Sequence, residues 1–182
     1  ALYSNTVGLN NTATGSVALY YNQFGHWNTA NGFAALYSNT TGYSNTAVGI
    51  GALYRNTDRN NLVAIGDSAL FNNGTGAGGS FQAYYNTAVG SKALFYNTTG
   101  YSNTANGSEA LFSNTEGYMN TANGHLALYS NQGADLNTAN GFAALYSNTV
   151  GLNNTATGSV ALYYNQFGHW NTANGFAALY SN

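Results

Sequence analysis

Arg55, Asp58 and Arg59 put two guanidinium groups and a carboxylate within five positions, the densest set of ionisable side chains in the chain. Such a set suits contact with a docking partner or a glycan. It equally suits a local salt bridge that holds down the Gly-rich stretch from Gly74 to Tyr85 (GTGAGGSFQAYY), and the salt bridge is the preferred reading. The remaining charges, Asp67, Lys92, Glu109, Glu116 and Asp135, are scattered. Lys92 and Glu109 occupy the same slot in successive units of a repeat. They are therefore expected to face each other across one strand spacing, ~4.8 Å, as a surface pair worth at most ~1 kcal/mol.

His26, His125 and His169 stand apart from acidic partners and are read as solvated turn residues rather than metal ligands. Without cysteine there is no disulfide and no thiolate metal site. No nucleophile, base and orienting group recur together, so an enzyme is the least expected class and no cofactor is expected. Sequons stand at Asn10, Asn39, Asn73, Asn97, Asn106 and Asn153, and are candidates for glycosylation.

What must position these residues is the repeat itself. The frame N-T-A-x-G-x-x-A-L-aromatic-x-N returns from Asn11 to Asn171 at the constant spacing seen in Asn11, Asn28 and Asn45. The one exception lies between Leu62 and Asn86, where the Gly-rich excursion adds seven positions. A fixed short period marks a solenoid, whose units are stable only when stacked. Residues 1–39 recur unchanged as 144–182, a super-repeat whose offset of 143 equals eight units plus the excursion. Since the chain starts and stops in mid-unit, we expect one continuous solenoid over 1–182, either a window of a longer array or a chain that abuts its neighbours end to end.

Composition narrows the partners. Only 4% of residues are charged and the net charge is −2, so the surface has no electrostatic footprint for nucleic acid. No stretch approaches the ~18 apolar residues of a membrane span. Proline is absent, as expected where every backbone N–H is needed for a ladder.

Within one unit the spacing predicts an all-β coil of two short strands and two turns, and hence a parallel β-solenoid of stacked 17-residue coils. The first strand is Thr46-Ala47-Val48 and its equivalents, with the invariant Ala facing in. The second is Ala52-Leu53-Tyr54, present in eleven copies with Phe at 71, 95 and 112. Neighbouring strand residues point to opposite faces, so a strand restricted at both is expected to pack on the coil's core and also on a second copy of the chain. Three ladders follow: Leu19, Leu36 and Leu53 in the core; Tyr20, Tyr37 and Tyr54 stacked; and Asn22, Asn39 and Asn56 bonded side chain to side chain at a turn.

The segments Leu62-Val63-Ala64-Ile65-Gly66-Asp67-Ser68-Ala69-Leu70 and Asn45-Thr46-Ala47-Val48-Gly49-Ile50-Gly51-Ala52 resemble the head repeats of trimeric autotransporter adhesins. Similar repeats occur in phage tail-fibre shafts and bacterial surface fibres. The resemblance implies a left-handed parallel β-roll, trimeric, on an extracellular or cell-surface structure. The 17-residue unit and the aromatic ladder are departures from the adhesin pattern.

The leading functional expectation is therefore a non-enzymatic extracellular filament or fibre shaft, built by coil stacking and lateral self-association. The alternative is an adhesin or tail-fibre segment that binds a host receptor or glycan. Ice binding by the Thr row (Thr12, Thr29, Thr46 and onward) ranks lower, on the expectation that the invariant Ala prevents a flat Thr-x-Thr array.

Overall fold

The computed structural model describes residues 1–79 and 81–182; of the Gly-rich excursion, Ser80 lies outside the described residues. Ten strands of three residues each follow in chain order: β1 (Thr12–Thr14), β2 (Thr29–Asn31), β3 (Thr46–Val48), β4 (Val63–Ile65), β5 (Thr87–Val89), β6 (Thr104–Asn106), β7 (Thr121–Asn123), β8 (Thr138–Asn140), β9 (Thr155–Thr157) and β10 (Thr172–Asn174). They form one parallel sheet in sequential order, β1 to β10, with each three-residue strand aligned residue for residue on the next and Ala always over Ala. The described residues contain no helix. The chain is a parallel β-solenoid of about ten coils.

Alternation along each strand turns the middle Ala inward, and Ala30, Ala47, Ala64 and Ala88 are fully buried. Thr and the third residue face out together, one on either side of that Ala. Gly32 then bends the chain with φ +139, and a Cβ there would stand 2.5 Å from the carbonyl oxygen of Gly49 in the next coil. Two coils approach through bare backbone at this corner, and only glycine fits.

The second expected strand is not one. Ala-Leu-Tyr lies in a turn, and every Leu of the series adopts the left-handed region, from φ 48 at Leu19 to φ 54 at Leu53. That reversal cancels the two-residue alternation, so Ala35 and Leu36 both point into the core, fully buried, while Tyr37 turns out. The restriction on both residues is thus met inside one chain, and this segment does not call for a second copy.

A left-handed residue costs ~1–2 kcal/mol. Burying its side chain returns roughly 1.5–3 kcal/mol, and its N–H is not lost: Leu36 donates to Ala52 of the next coil at 2.9 Å and Leu19 to Ala35 at 3.0 Å. The core is a double column of Ala and Leu running the length of the rod.

Replacing Gly32 with Ala combines left-handed strain with a backbone clash. It should destabilise the chain by roughly 2–4 kcal/mol, read as a fall in Tm, whereas Ala at the outward Asn31 should leave Tm nearly unchanged.

Candidate functional surfaces

Two columns of asparagine mark the corners of each coil. At the first, Asn22 Nδ2 donates to Asn5 Oδ1 one coil away (2.7 Å) and to Gly25 O in its own coil (3.1 Å). At the second, Asn28 Nδ2 donates to Gly42 O (2.8 Å), and its backbone N–H donates to Asn11 Oδ1 (2.9 Å). Each glycine carbonyl is therefore gripped from both corners, as Gly25 O is by Asn22 and by Asn11 (2.7 Å).

Asn22, Asn39 and Asn56 form the ladder expected of them, fully buried. The second column, at Asn11, Asn28 and Asn45, enters the sequence reading only as the start of the frame. Its near-invariance is the available signal, with Leu62 the one exception.

Between the corners runs a short arc, residues 23–27 in one coil and 40–44 in the next. The amides of Gln23, Phe24 and Gly25 all donate to Thr40 O, at 3.1, 2.9 and 3.2 Å. With Gly25 turned inward, the arc's other side chains point out. A side-chain acceptor at the position of His26 caps the equivalent amide of the preceding coil: His26 Nδ1 accepts from Leu9 N–H (2.9 Å), Asn60 Oδ1 from Tyr43 N–H (2.7 Å) and Asp135 Oδ1 from Tyr118 N–H (2.9 Å). His169 repeats this on Leu152 at 2.9 Å. His125 instead places Nδ1 3.0 Å from Ser108 O. The histidines thus have structural partners. Partial burial holds the Asp135 carboxyl above its ordinary pKa, although the bond from Tyr118 N–H works against that.

The aromatic series stacks as expected. From Tyr3 through Tyr20, Tyr37, Tyr54 and Phe71 the ring centroids are 4.9–5.5 Å apart and the planes within 20°. Tyr21 meets Tyr20 and Tyr37 edge-on, at 4.9 and 5.1 Å, alongside the wide 5.5 Å step between them. Since the stack hides ring faces and leaves edges, it offers no platform on which a sugar ring could lie.

Arg59, Asp58 and Arg55 do not form one exposed patch. Arg59 takes the slot held by Gly25 and Gly42 in earlier coils and is 6% exposed beneath the Gly-rich excursion. Its guanidinium donates to Ala77 O, to Gly79 O (3.4 Å) and to Tyr84 Oη (3.3 Å), and lies 5.2 Å from the centre of the Tyr84 ring. Nε sits 3.2 Å from Asp58 Oδ1 without a hydrogen bond. Arg55 is exposed and points away, its guanidinium carbon 6.0 Å from the Phe71 ring centre. Lys92 and Glu109 occupy equivalent positions, yet the only ion pair among the described residues is Asp58–Arg59. Both are surface side chains on left-handed backbone, where solvent offers each as much as the other does.

The sequons divide. Asn39, Asn73 and Asn97 are fully buried in the ladder with their Nδ2 groups donating, so the folded chain has no free amide there to modify. Asn10, Asn106 and Asn153 are exposed.

The sheet's outer face also departs from expectation. Thr12 and Thr14, and again Thr155 and Thr157, share that face, since the intervening Ala points inward. A two-row hydroxyl array is nonetheless absent from most of the face: Asn31, Asn106, Asn123, Asn140 and Asn174, and at mid-rod Val48, Ile65 and Val89, hold the second row, and Val63 interrupts the first.

Comparison with known protein families, curated proteins and solved structures finds no match to this chain.

Two outcomes follow. Arg59→Ala should free the excursion, giving faster amide exchange and proteolysis near Phe81 to Tyr85, with Tm lowered far less than by loss of a ladder residue. Asp135→Asn copies Asn60 and keeps the acceptor. Because the raised pKa means ionisation is costlier in the folded chain, the variant should match wild type within about 0.5 kcal/mol in acid and become the more stable of the two as pH rises through the carboxyl range. Denaturant titrations at both pH values would show it.

Proposed function

We infer that the chain is a non-enzymatic structural element, a stretch of fibre shaft displayed outside the cell, extended by coil stacking and thickened by association with further copies. The observation that carries this reading is the continuity of its columns. Leucine, asparagine and aromatic ladders run the length of the rod, and the Asn corner passes the excursion unbroken through Asn97 Nδ2 to Asn73 Oδ1 (2.8 Å). Nearly every coil-forming residue is committed to a neighbouring coil, which suits an object whose property is length and stiffness. The likeness of its units to adhesin-type and tail-fibre repeats favours an extracellular setting, and three chains per fibre is the arrangement those repeats suggest.

A recognition role is the second reading, and the excursion favours it. This is the one departure from the repeat, and Phe81 within it is 74% exposed. Arg59 cannot serve as a ligand contact there, because its donors hold the excursion down. Ice binding is disfavoured by the break in the Thr row.

Electron microscopy of the concentrated chain and of its source material tests the fibre reading. Eight coils at ~4.8 Å place the long axial repeat near ~38 Å, and filaments with that repeat are expected. Short finite rods that bind a neutral glycan, with binding lost when the excursion is deleted, would overturn it in favour of recognition.

A further inference from the structure

The arcs carry scattered exposed apolar side chains, Tyr43, Tyr85, Met119 and Leu136 among them, and one four-residue apolar set that occurs twice. Val7, Leu9, Phe24 and Trp27 lie on the arcs between the asparagine corners, and Val150, Leu152, Phe167 and Trp170 repeat them one super-repeat later. Phe24 and Trp27 have a coil on either side and are still 50% and 60% exposed; Val150, also interior, is 47% exposed. Neither patch contains Lys, Arg, Asp or Glu.

Each patch is held rigid by the same bonds. Trp27 N–H donates to Leu9 O and Trp170 N–H to Leu152 O, both at 3.0 Å. Leu9 and Leu152 donate in turn to the flanking histidines. A surface set before contact loses little entropy on binding.

We propose that these patches are the seam through which a second copy of the chain binds side by side, patch against patch. The proposal rests on the fibre reading above and names its partner surface. Area decides the occupant. Half of each of two aromatic side chains, at ~150–250 Å² apiece, comes to ~150–250 Å², and the partly exposed Val and Leu add about 130 Å² more, so one patch offers roughly 300–400 Å² of apolar surface. A stable interface needs ~800 Å² per partner. One patch falls short, and two engaged together enter the range of ~600–1,000 Å² per partner that specific interfaces occupy.

A partner must therefore present matching apolar sites at the spacing of eight coils, ~38 Å, and a second copy does so by construction. The Tyr column has no such spacing selectivity, since it repeats at every coil.

Sedimentation of the full chain tests this, together with its tryptophan emission, because both tryptophans lie in the patches. Wild type should self-associate with rising concentration while its emission shifts to the blue. The pair Phe24→Thr and Trp27→Asn should weaken association at least tenfold, and adding Phe167→Thr and Trp170→Asn should abolish it. Thr41 and Thr99 occupy the slot of Phe24, and Asn10 and Asn61 that of Trp27, with Asn10 and Asn61 sharing its left-handed backbone, so circular dichroism and Tm should hold. Phe24→Asp, with Asp58 as precedent in the same slot, should abolish association because the seam would strip water from its carboxylate.

A fourfold variant that associates like wild type, or a wild type that stays monomeric, overturns the seam. Quenching of the tryptophans by maltohexaose or chitohexaose in a monomeric chain assigns the patch to glycan and also overturns it. The axial repeat is read separately by microscopy, so the fibre reading can stand where the seam fails.

Discussion

Coil-to-coil hydrogen bonding is the constraint on which everything else depends. No coil can satisfy its own backbone. A three-residue strand makes no ladder alone, the arc amides converge on a carbonyl of the next coil, and the left-handed leucines are tolerable only while a neighbour accepts their N–H groups. Stability in such an object is a sum over interfaces rather than the property of a closed core. Sparse charge is consistent with this, because stacking identical positions about one strand spacing apart would set like charges directly over one another.

The same constraint explains the uniform interior and the variable exterior. Any side chain that points inward must fit above and below copies of itself, which leaves Ala, Leu, Asn and Gly, with Arg59 beneath the excursion the exception. Outward positions escape that rule, so the excursion, the Val48–Ile65–Val89 break in the sheet face and the paired apolar patches all lie outside the columns. Features that recur at every coil hold the rod together. Features that recur once per super-repeat are the ones able to distinguish one place on the rod from another.

Much of this was legible in the residues. The period identifies the strand slot, the inward alanine, the aromatic stack and one asparagine ladder; the excursion is held down as expected, but by Arg59 alone through bonds to Ala77 O, Gly79 O and Tyr84 Oη rather than by a salt bridge among Arg55, Asp58 and Arg59. The second strand departs from expectation for a definite reason: Ala-Leu-Tyr has the composition of a strand, and leucine in the left-handed region runs against its own preference, so only the neighbouring coils reveal why it is there. The same reversal undid the argument that this segment must face another chain. The Lys92–Glu109 pairing failed differently, since equal position in the repeat sets proximity but not the choice of partner over water.

By itself, the sequence determined the kind of object. A period too short for a self-sufficient fold, with glycine and asparagine at fixed positions, leaves a stacked parallel solenoid as the physical solution. Only the tertiary structure decided which side chains are free. Asn39 and Asn10 look alike as sequons, yet one is consumed by the ladder and the other faces solvent. Arg55 and Arg59 look alike as cations, yet one is exposed and the other is buried under a loop. The reason is that accessibility depends on backbone handedness and on what the next coil places overhead, and neither is written in the residue itself.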